Sequence, residues 1–131
     1  MFSIYFRVPG GKPFLEKFCE KSTYSEFDVF TYMSQTLKGL NYLHGSANII
    51  HLDLKPENVI LDSECNAVKL IDFGCAQSTL APAKNKHLYQ STEFLAPELL
   101  DGHHPHAVLG THTDMWAFAV LLYVALRYSK W

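Results

Sequence analysis

His51-Leu52-Asp53-Leu54-Lys55-Pro56-Glu57-Asn58 is followed directly by the apolar run Val59-Ile60-Leu61. After a polar break come Val68-Lys69-Leu70-Ile71 and Asp72-Phe73-Gly74. The first stretch carries a carboxylate, a cation and a side-chain amide within a few residues of one another. Pro56 fixes its own φ and biases Lys55 towards extended backbone, so these groups sit on a stiff loop. The two apolar runs read as strands of a hairpin around Asp62-Ser63-Glu64-Cys65-Asn66-Ala67. Such a hairpin brings Asp72 back beside Asp53. Asp53, Asn58 and Asp72 are then hard oxygen groups of the kind that hold Mg²⁺ while substrate phosphates complete its shell. A loop of scattered surface charges is the plainer reading, but a fixed H-x-D-x-K-P-x-x-N pattern is too specific to favour it.

On these residues the chain resembles the catalytic half of a eukaryotic protein kinase of the serine/threonine type. His51-Leu52-Asp53 stands where that family has H-R-D, Asp72-Phe73-Gly74 is D-F-G, and Ala96-Pro97-Glu98 is A-P-E, in the family's order and spacing. Lys55 with Pro56-Glu57-Asn58 is the serine/threonine form of the loop. The run H-L-D-L-K-P-E-N, with Glu93-Phe94-Leu95-Ala96-Pro97-Glu98, is most similar to the calmodulin-kinase group and its titin-, twitchin- and obscurin-like members. The fold implied is α+β: a mainly helical C-lobe with a small β-hairpin, the N-lobe almost entirely absent, over a single truncated domain spanning residues 1–131.

The resemblance also assigns roles. Asp53 takes the proton of a serine or threonine hydroxyl on a protein substrate, Lys55 balances the charge on the moving phosphoryl group, and Asn58 and Asp72 hold Mg²⁺. ATP is the implied donor, its adenine lying between Phe6 and Val8 of the hinge and Ile60 of the hairpin, with Tyr5 as gatekeeper. His51 and Phe73 stack, Gly74 completes D-F-G, and Ser91 replaces the threonine that contacts Asp53 and Lys55. Glu98 lacks its expected arginine partner, and Asp114 braces the backbone of the catalytic loop. Leu52 is the main departure, since the family's arginine there pairs with a phosphate on the activation segment. Gln90 and Thr92 also depart from the G-T-P-E-F pattern of the substrate-binding loop.

Composition bounds the rest. The 131 residues are 48% hydrophobic, enough for a single globular unit. A net charge of −2 and a pI near 6.4 give no electrostatic case for nucleic acid or an anionic membrane. Cys19, Cys65 and Cys75 are odd in number and show no C-x-x-C spacing, which points to reduced thiols in a cytoplasmic protein. The longest apolar run, Met115 to Leu126, is too short for a spanning helix and reads as a helix wrapped on all sides.

Elsewhere, Phe2 to Val8 alternate as a strand, and Pro13 to Lys21 read as a short helix. Ser25 and Asp28 form a capping box for a longer helix. Phe27, Phe30, Met33, Leu37 and Leu40 are expected to be its core stripe, and Gly45 its end. The stretch from Asp72 to Glu98 loses periodicity and corresponds to the activation segment. His103, His104, His106 and His112 cluster around Pro105 without ligand spacing and read as loop histidines. Cys75 reads as a packing residue rather than a reactive thiol.

Two functional classes follow. One is a serine/threonine kinase, the chain being a piece of it that lacks the Gly-rich loop, the strand lysine and its glutamate and so has little activity alone. The other is a kinase-like scaffold or binding module that has lost catalysis. The intact Asp53, Asn58 and Asp72 favour the first.

Overall fold

The computed structural model describes residues 11–14, 16, 24–62, 66–80, 92–100 and 109–129, except the side chains at 98 and 100. Two long helices carry the architecture, α1 (Glu26–Tyr42) and α3 (Thr111–Tyr128), with a short α2 (Pro97–Leu100) between them. Five short strands accompany them among the described residues: β1 (Lys12–Pro13), β2 (Ile49–Ile50), β3 (Val59–Asp62), β4 (Ala67–Leu70) and β5 (Gln77–Ser78). They form an antiparallel three-stranded sheet in the order β1-β3-β4 and a separate β2-β5 pair. The expected α+β, mainly helical arrangement is present. No helix among the described residues is long and apolar enough to cross a membrane.

Helix α1 starts where the sequence places it. Ser25 Oγ accepts from the Asp28 amide at 3.2 Å, and Asp28 Oδ2 accepts from the Ser25 amide at 2.9 Å, closing the capping box. Its buried side is Val29, Tyr32, Met33, Thr36, Gly39 and Leu40, and this corrects the expected stripe. Phe27 and Phe30 are 75% and 69% exposed, and Leu37 is also exposed. At roughly 100° per residue, Phe27 lies about opposite the buried side, while Met33 and Leu40 fall on its edge. A spacing of three drifts around the helix, so it mixed residues from two faces. Buried Thr36 is accommodated because its hydroxyl donates to the Tyr32 carbonyl at 3.0 Å.

Nor does Gly45 end the helix. The chain continues through a π-helical turn, Leu43–Ala47, and stops at Asn48, whose φ of 54° is left-handed. Asn tolerates that region because its short side chain bonds locally, so it does the work expected of glycine. Pro13 belongs to β1, opposite Ile60, while Phe14 and Glu16 are helical as expected. The remaining residues of that expected helix, apart from Phe14 and Glu16, and the strand at Phe2 to Val8 lie outside the described residues.

The β3–β4 hairpin forms with Val59 opposite Leu70 and Asp62 opposite Ala67. It is fastened to α1 at its turn. Tyr32 Oη donates to Asn66 Oδ1 at 3.0 Å, and the Val68 amide donates to Gln35 Oε1 at 2.9 Å. Gly39 permits the close approach, since a Cβ there would stand 3.2 Å from Leu70 Cδ1. Val59 and Leu61 join Phe14, Val29, Leu40, Leu54 and Leu121 in the core. Alternation puts Ile60 on the other face of the strand.

Helix α3 begins at Thr111 and is buried along one side only, through Thr113, Asp114, Ala117, Leu121 and Ala125. Trp116, Tyr123 and Tyr128 are exposed, so the helix is not covered all round as its composition suggested.

Candidate functional site

The loop between β2 and β3 is held from two sides and by bonds of its own. From below, buried Asp114 of α3 accepts the backbone amides of His51 at 2.8 Å and Leu52 at 2.9 Å. Leu52 sits at φ 65°, a left-handed conformation that a side chain with a Cβ avoids unless its surroundings impose it. Asp114 supplies that imposition, so its carboxylate serves the loop rather than its own helix end.

From the side, the loop is tied to the end of β4. The Ile71 amide donates to the Asn58 carbonyl, and His51 Nε2 donates to the Ile71 carbonyl, both at 3.0 Å. A carbonyl can only accept, so Nε2 carries the proton and Nδ1 is left to accept from the Asp53 amide at 3.4 Å. His51 is therefore a neutral imidazole. Its burial lowers its pKa, outweighing the opposite pull of Asp114, the Ile71 hydrogen bond, Asp53 and Asp72. Its ring packs on Phe73 with centroids 4.8 Å apart.

Within the loop, Asp53 is the hub. Lys55 Nζ lies 2.8 Å from Asp53 Oδ2, and Asn58 Nδ2 donates to Asp53 Oδ2 at 3.0 Å and to its carbonyl at 2.7 Å. Burial would lower the Lys55 pKa. The hydrogen bond and charge of Asp53, with Glu57 and Asp72, reverse this and hold the ammonium above its ordinary value. Asp53 and Asp72 thus both push the Lys55 pKa in the same direction. Cys75 lies in the same field; burial, then Asp53 and Asp72, push its thiol up, against Lys55. A raised thiol is a poor nucleophile, in keeping with a packing role.

Asp72 is exposed at φ 60°, and its Oδ1 accepts from the Gly74 amide at 3.2 Å. A Cβ on Gly74 would stand 3.1 Å from that oxygen. Glycine is what lets the turn fold back over its own aspartate.

The donor set fits a hard divalent cation. Asn58 is 4% exposed, and with its amide nitrogen committed to Asp53 its Oδ1 has no hydrogen-bond donor among the described residues. Asp72 has a second carboxylate oxygen beyond the one that Gly74 engages. An amide oxygen and one carboxylate, with phosphates and water supplying the rest, suit Mg²⁺ better than a site built wholly from protein ligands.

Ile60 is 6% exposed and paired with Pro13. Phe6, Val8 and Ser91, and the side chain of Glu98, lie outside what is described, as do Tyr5 and His103, His104 and His106. His112 is exposed. Two features do not stand out in the sequence. One is the β2–β5 pair, Ile49 opposite Ser78 and Ile50 opposite Gln77, because strands of two residues have no readable period. The other is His44, whose Nε2 lies 2.7 Å from Asp114 Oδ2.

A family model described as the protein kinase domain matches residues 3–130. The chain belongs to the protein kinase family. It is 41% identical over 121 residues to a titin homolog of Caenorhabditis elegans, covering 91% of this chain and 1% of that protein. It is 37% identical over 118 residues to the striated muscle preferentially expressed protein kinase of Danio rerio, covering 88% of this chain and 4% of that protein. With death-associated protein kinase 2 of Mus musculus it shares 36% identity over 122 residues, 91% of this chain and 31% of that protein. This kinase chain thus spans under a third of the length of these relatives. They are the titin-like and calmodulin-kinase-group proteins that its loop sequence resembles.

Proposed function

We propose that this chain carries the catalytic loop of a serine/threonine protein kinase that transfers the terminal phosphoryl group of ATP to protein hydroxyls. The observation that carries the reading is the convergence of Lys55 and Asn58 on one carboxylate oxygen of Asp53. Asp53 is part-exposed, so a substrate hydroxyl can reach it, and its hydrogen bonds hold the carboxylate to one orientation. In that position it accepts the hydroxyl proton and aims the oxygen, a contribution of about 10²–10⁴-fold for a placed general base.

Lys55 is kept cationic beside Asp53 and offsets charge on the phosphoryl group in transit. Asn58 Oδ1 and the free oxygen of Asp72 are the ligands offered to Mg²⁺. The metal, when bound with ATP, neutralises and orients the phosphates. Lys55 two residues after the base, followed by Pro56, supports serine and threonine rather than tyrosine as acceptors. Phe6, Val8 and Ile60 are the proposed adenine contacts and Ser91 a partner of Asp53 and Lys55, by position in the family's motifs.

The test is phosphopeptide mass spectrometry on the full-length protein with Mg-ATP and matched serine, threonine and tyrosine peptides. Phosphate on serine or threonine is expected. Absence of transfer by a folded full-length protein would favour a binding module that keeps the fold without the chemistry.

A further inference from the structure

Helix α1 holds the β3–β4 hairpin by its outer edge. The sheet runs β1-β3-β4, so β4 is an edge strand among the described residues, and its outward backbone groups need partners from outside the sheet. One carboxamide meets two of them. Gln35 Oε1 accepts from the Val68 amide at 2.9 Å, and Gln35 Nε2 donates to the Asn66 carbonyl at 3.4 Å. A side-chain amide carries a donor and an acceptor, as a peptide group does, so Gln35 stands in for a neighbouring strand. On the same side of the helix, Tyr32 Oη donates to Asn66 Oδ1 at 3.0 Å. Asn66, at a left-handed φ of 49°, is thus engaged through both its side chain and its carbonyl.

What these bonds fix lies at the other end of the hairpin. β3 begins at Val59, directly after Asn58, and β4 ends at Leu70, two residues before Asp72. The proposed Mg²⁺ ligands therefore hang from the open ends of one ladder, which the Ile71 amide closes on the Asn58 carbonyl at 3.0 Å. A slip of one residue in that ladder would turn every side chain of the moving strand to the opposite face. Strands of four residues have few mutual bonds with which to resist it. β3 is held on its far side by β1, and on the far side of β4 that part falls to Gln35.

We propose that Gln35 is a positioning residue for the metal site. By pinning β4 at Val68 it sets the register of the hairpin, and with the register the placement of Asp72 relative to Asn58; Tyr32 assists from the turn. This rests on the reading of Asn58 and Asp72 as Mg²⁺ ligands and adds how their spacing is set.

The experiment compares full-length protein carrying Gln35→Met, Gln35→Glu and Tyr32→Phe with wild type, by the Mg²⁺ dependence of phosphoryl transfer and by residue-resolved amide hydrogen exchange. Gln35→Met keeps the length of the side chain and removes both hydrogen bonds. Exchange should accelerate at Val68 and at Ile71, while the Leu40 amide in α1 stays protected. The Mg²⁺ concentration for half-maximal rate should rise about 10-fold, the lower end of the loss seen when a group behind a metal ligand is removed. Saturating Mg²⁺ should restore kcat, and KM for the peptide should stay near wild type. Gln35→Glu keeps the acceptor for Val68 and should recover most of the loss, and Tyr32→Phe should show the Gln35→Met pattern in weaker form. Exchange at Ile71 and a Mg²⁺ dependence both at wild-type values in Gln35→Met overturn the proposal, whatever happens at Val68. A Gln35→Glu protein no better than Gln35→Met overturns it as well. So does a uniform loss of protection across α1 and α3, which marks a merely structural residue. If wild type transfers no phosphate, the functional reading fails, and exchange at Ile71 still decides whether Gln35 sets the register.

Discussion

Asn58 donates its side-chain amide to both the carbonyl and the carboxylate of Asp53, at 2.7 and 3.0 Å. One residue thereby shapes the loop backbone and orients the proposed base, and its own oxygen is the ligand proposed for Mg²⁺. Structure and chemistry cannot be separated at this position.

Replacing Asn58 with Ala should therefore cost both. The part-buried Asp53 carbonyl loses its partner, and leaving a buried group unsatisfied costs about 1–3 kcal/mol, so the loss here should fall towards the lower end. Urea denaturation should show that loss in the unfolding midpoint, and the Mg²⁺ dependence of transfer should move to higher concentration. A variant as stable as wild type with unaltered Mg²⁺ dependence would contradict the role.

His51 predicts a pH dependence of stability. Its folded pKa lies below the ordinary histidine value, so the unfolded chain binds the proton more readily than the folded one. The contribution of His51 to stability is intact above the unfolded pKa, about 6.5. It is lost progressively as pH falls below that value, until the folded pKa is reached. Thermal unfolding between pH 8 and pH 5 should show the wild type losing stability on acidification more steeply than His51→Gln. Parallel curves would show that the imidazole is not held neutral.

The contact of Gly74 with Asp72 makes Gly74→Ala a test of the metal site. A Cβ 3.1 Å from Asp72 Oδ1 must displace that carboxylate or tilt the turn. Apparent Mg²⁺ affinity should fall, excess Mg²⁺ should recover part of the rate, and the unfolding midpoint should move little because Gly74 is exposed. A rate loss that no Mg²⁺ concentration relieves would place the fault elsewhere.

Leu52 predicts how the protein is regulated. It is buried and lines a pocket with Leu54, Phe94, Leu95 and Ala96, so it brings packing and no charge to the activation segment. Phosphatase treatment of the full-length protein should leave its activity unchanged. A large drop would mean that another cation reads a phosphate there.

The residues around Asp53 were legible because each is demanded by local chemistry at fixed spacing. The hairpin followed from two short apolar runs with a polar turn, and the start of α1 from Ser25 and Asp28. What the sequence obscured was set by tertiary context. Phe27 and Phe30 are as apolar as Val29 and Tyr32, and only the packing of α1 on the hairpin and α3 separates the exposed pair from the buried one. Gly45 looked like a helix stop, yet the π turn carries the chain through it to Asn48. His44 had no signal at all, since its partner Asp114 lies on a helix 70 residues away.

The most direct test of the central claim is the rate of phosphoryl transfer from Mg-ATP by full-length protein bearing Asp53→Asn, which keeps the size of the side chain and removes the base. A loss of about 10²–10⁴-fold in kcat, with the KM for ATP near wild type, is the predicted result. A kcat equal to that of the wild type would contradict it.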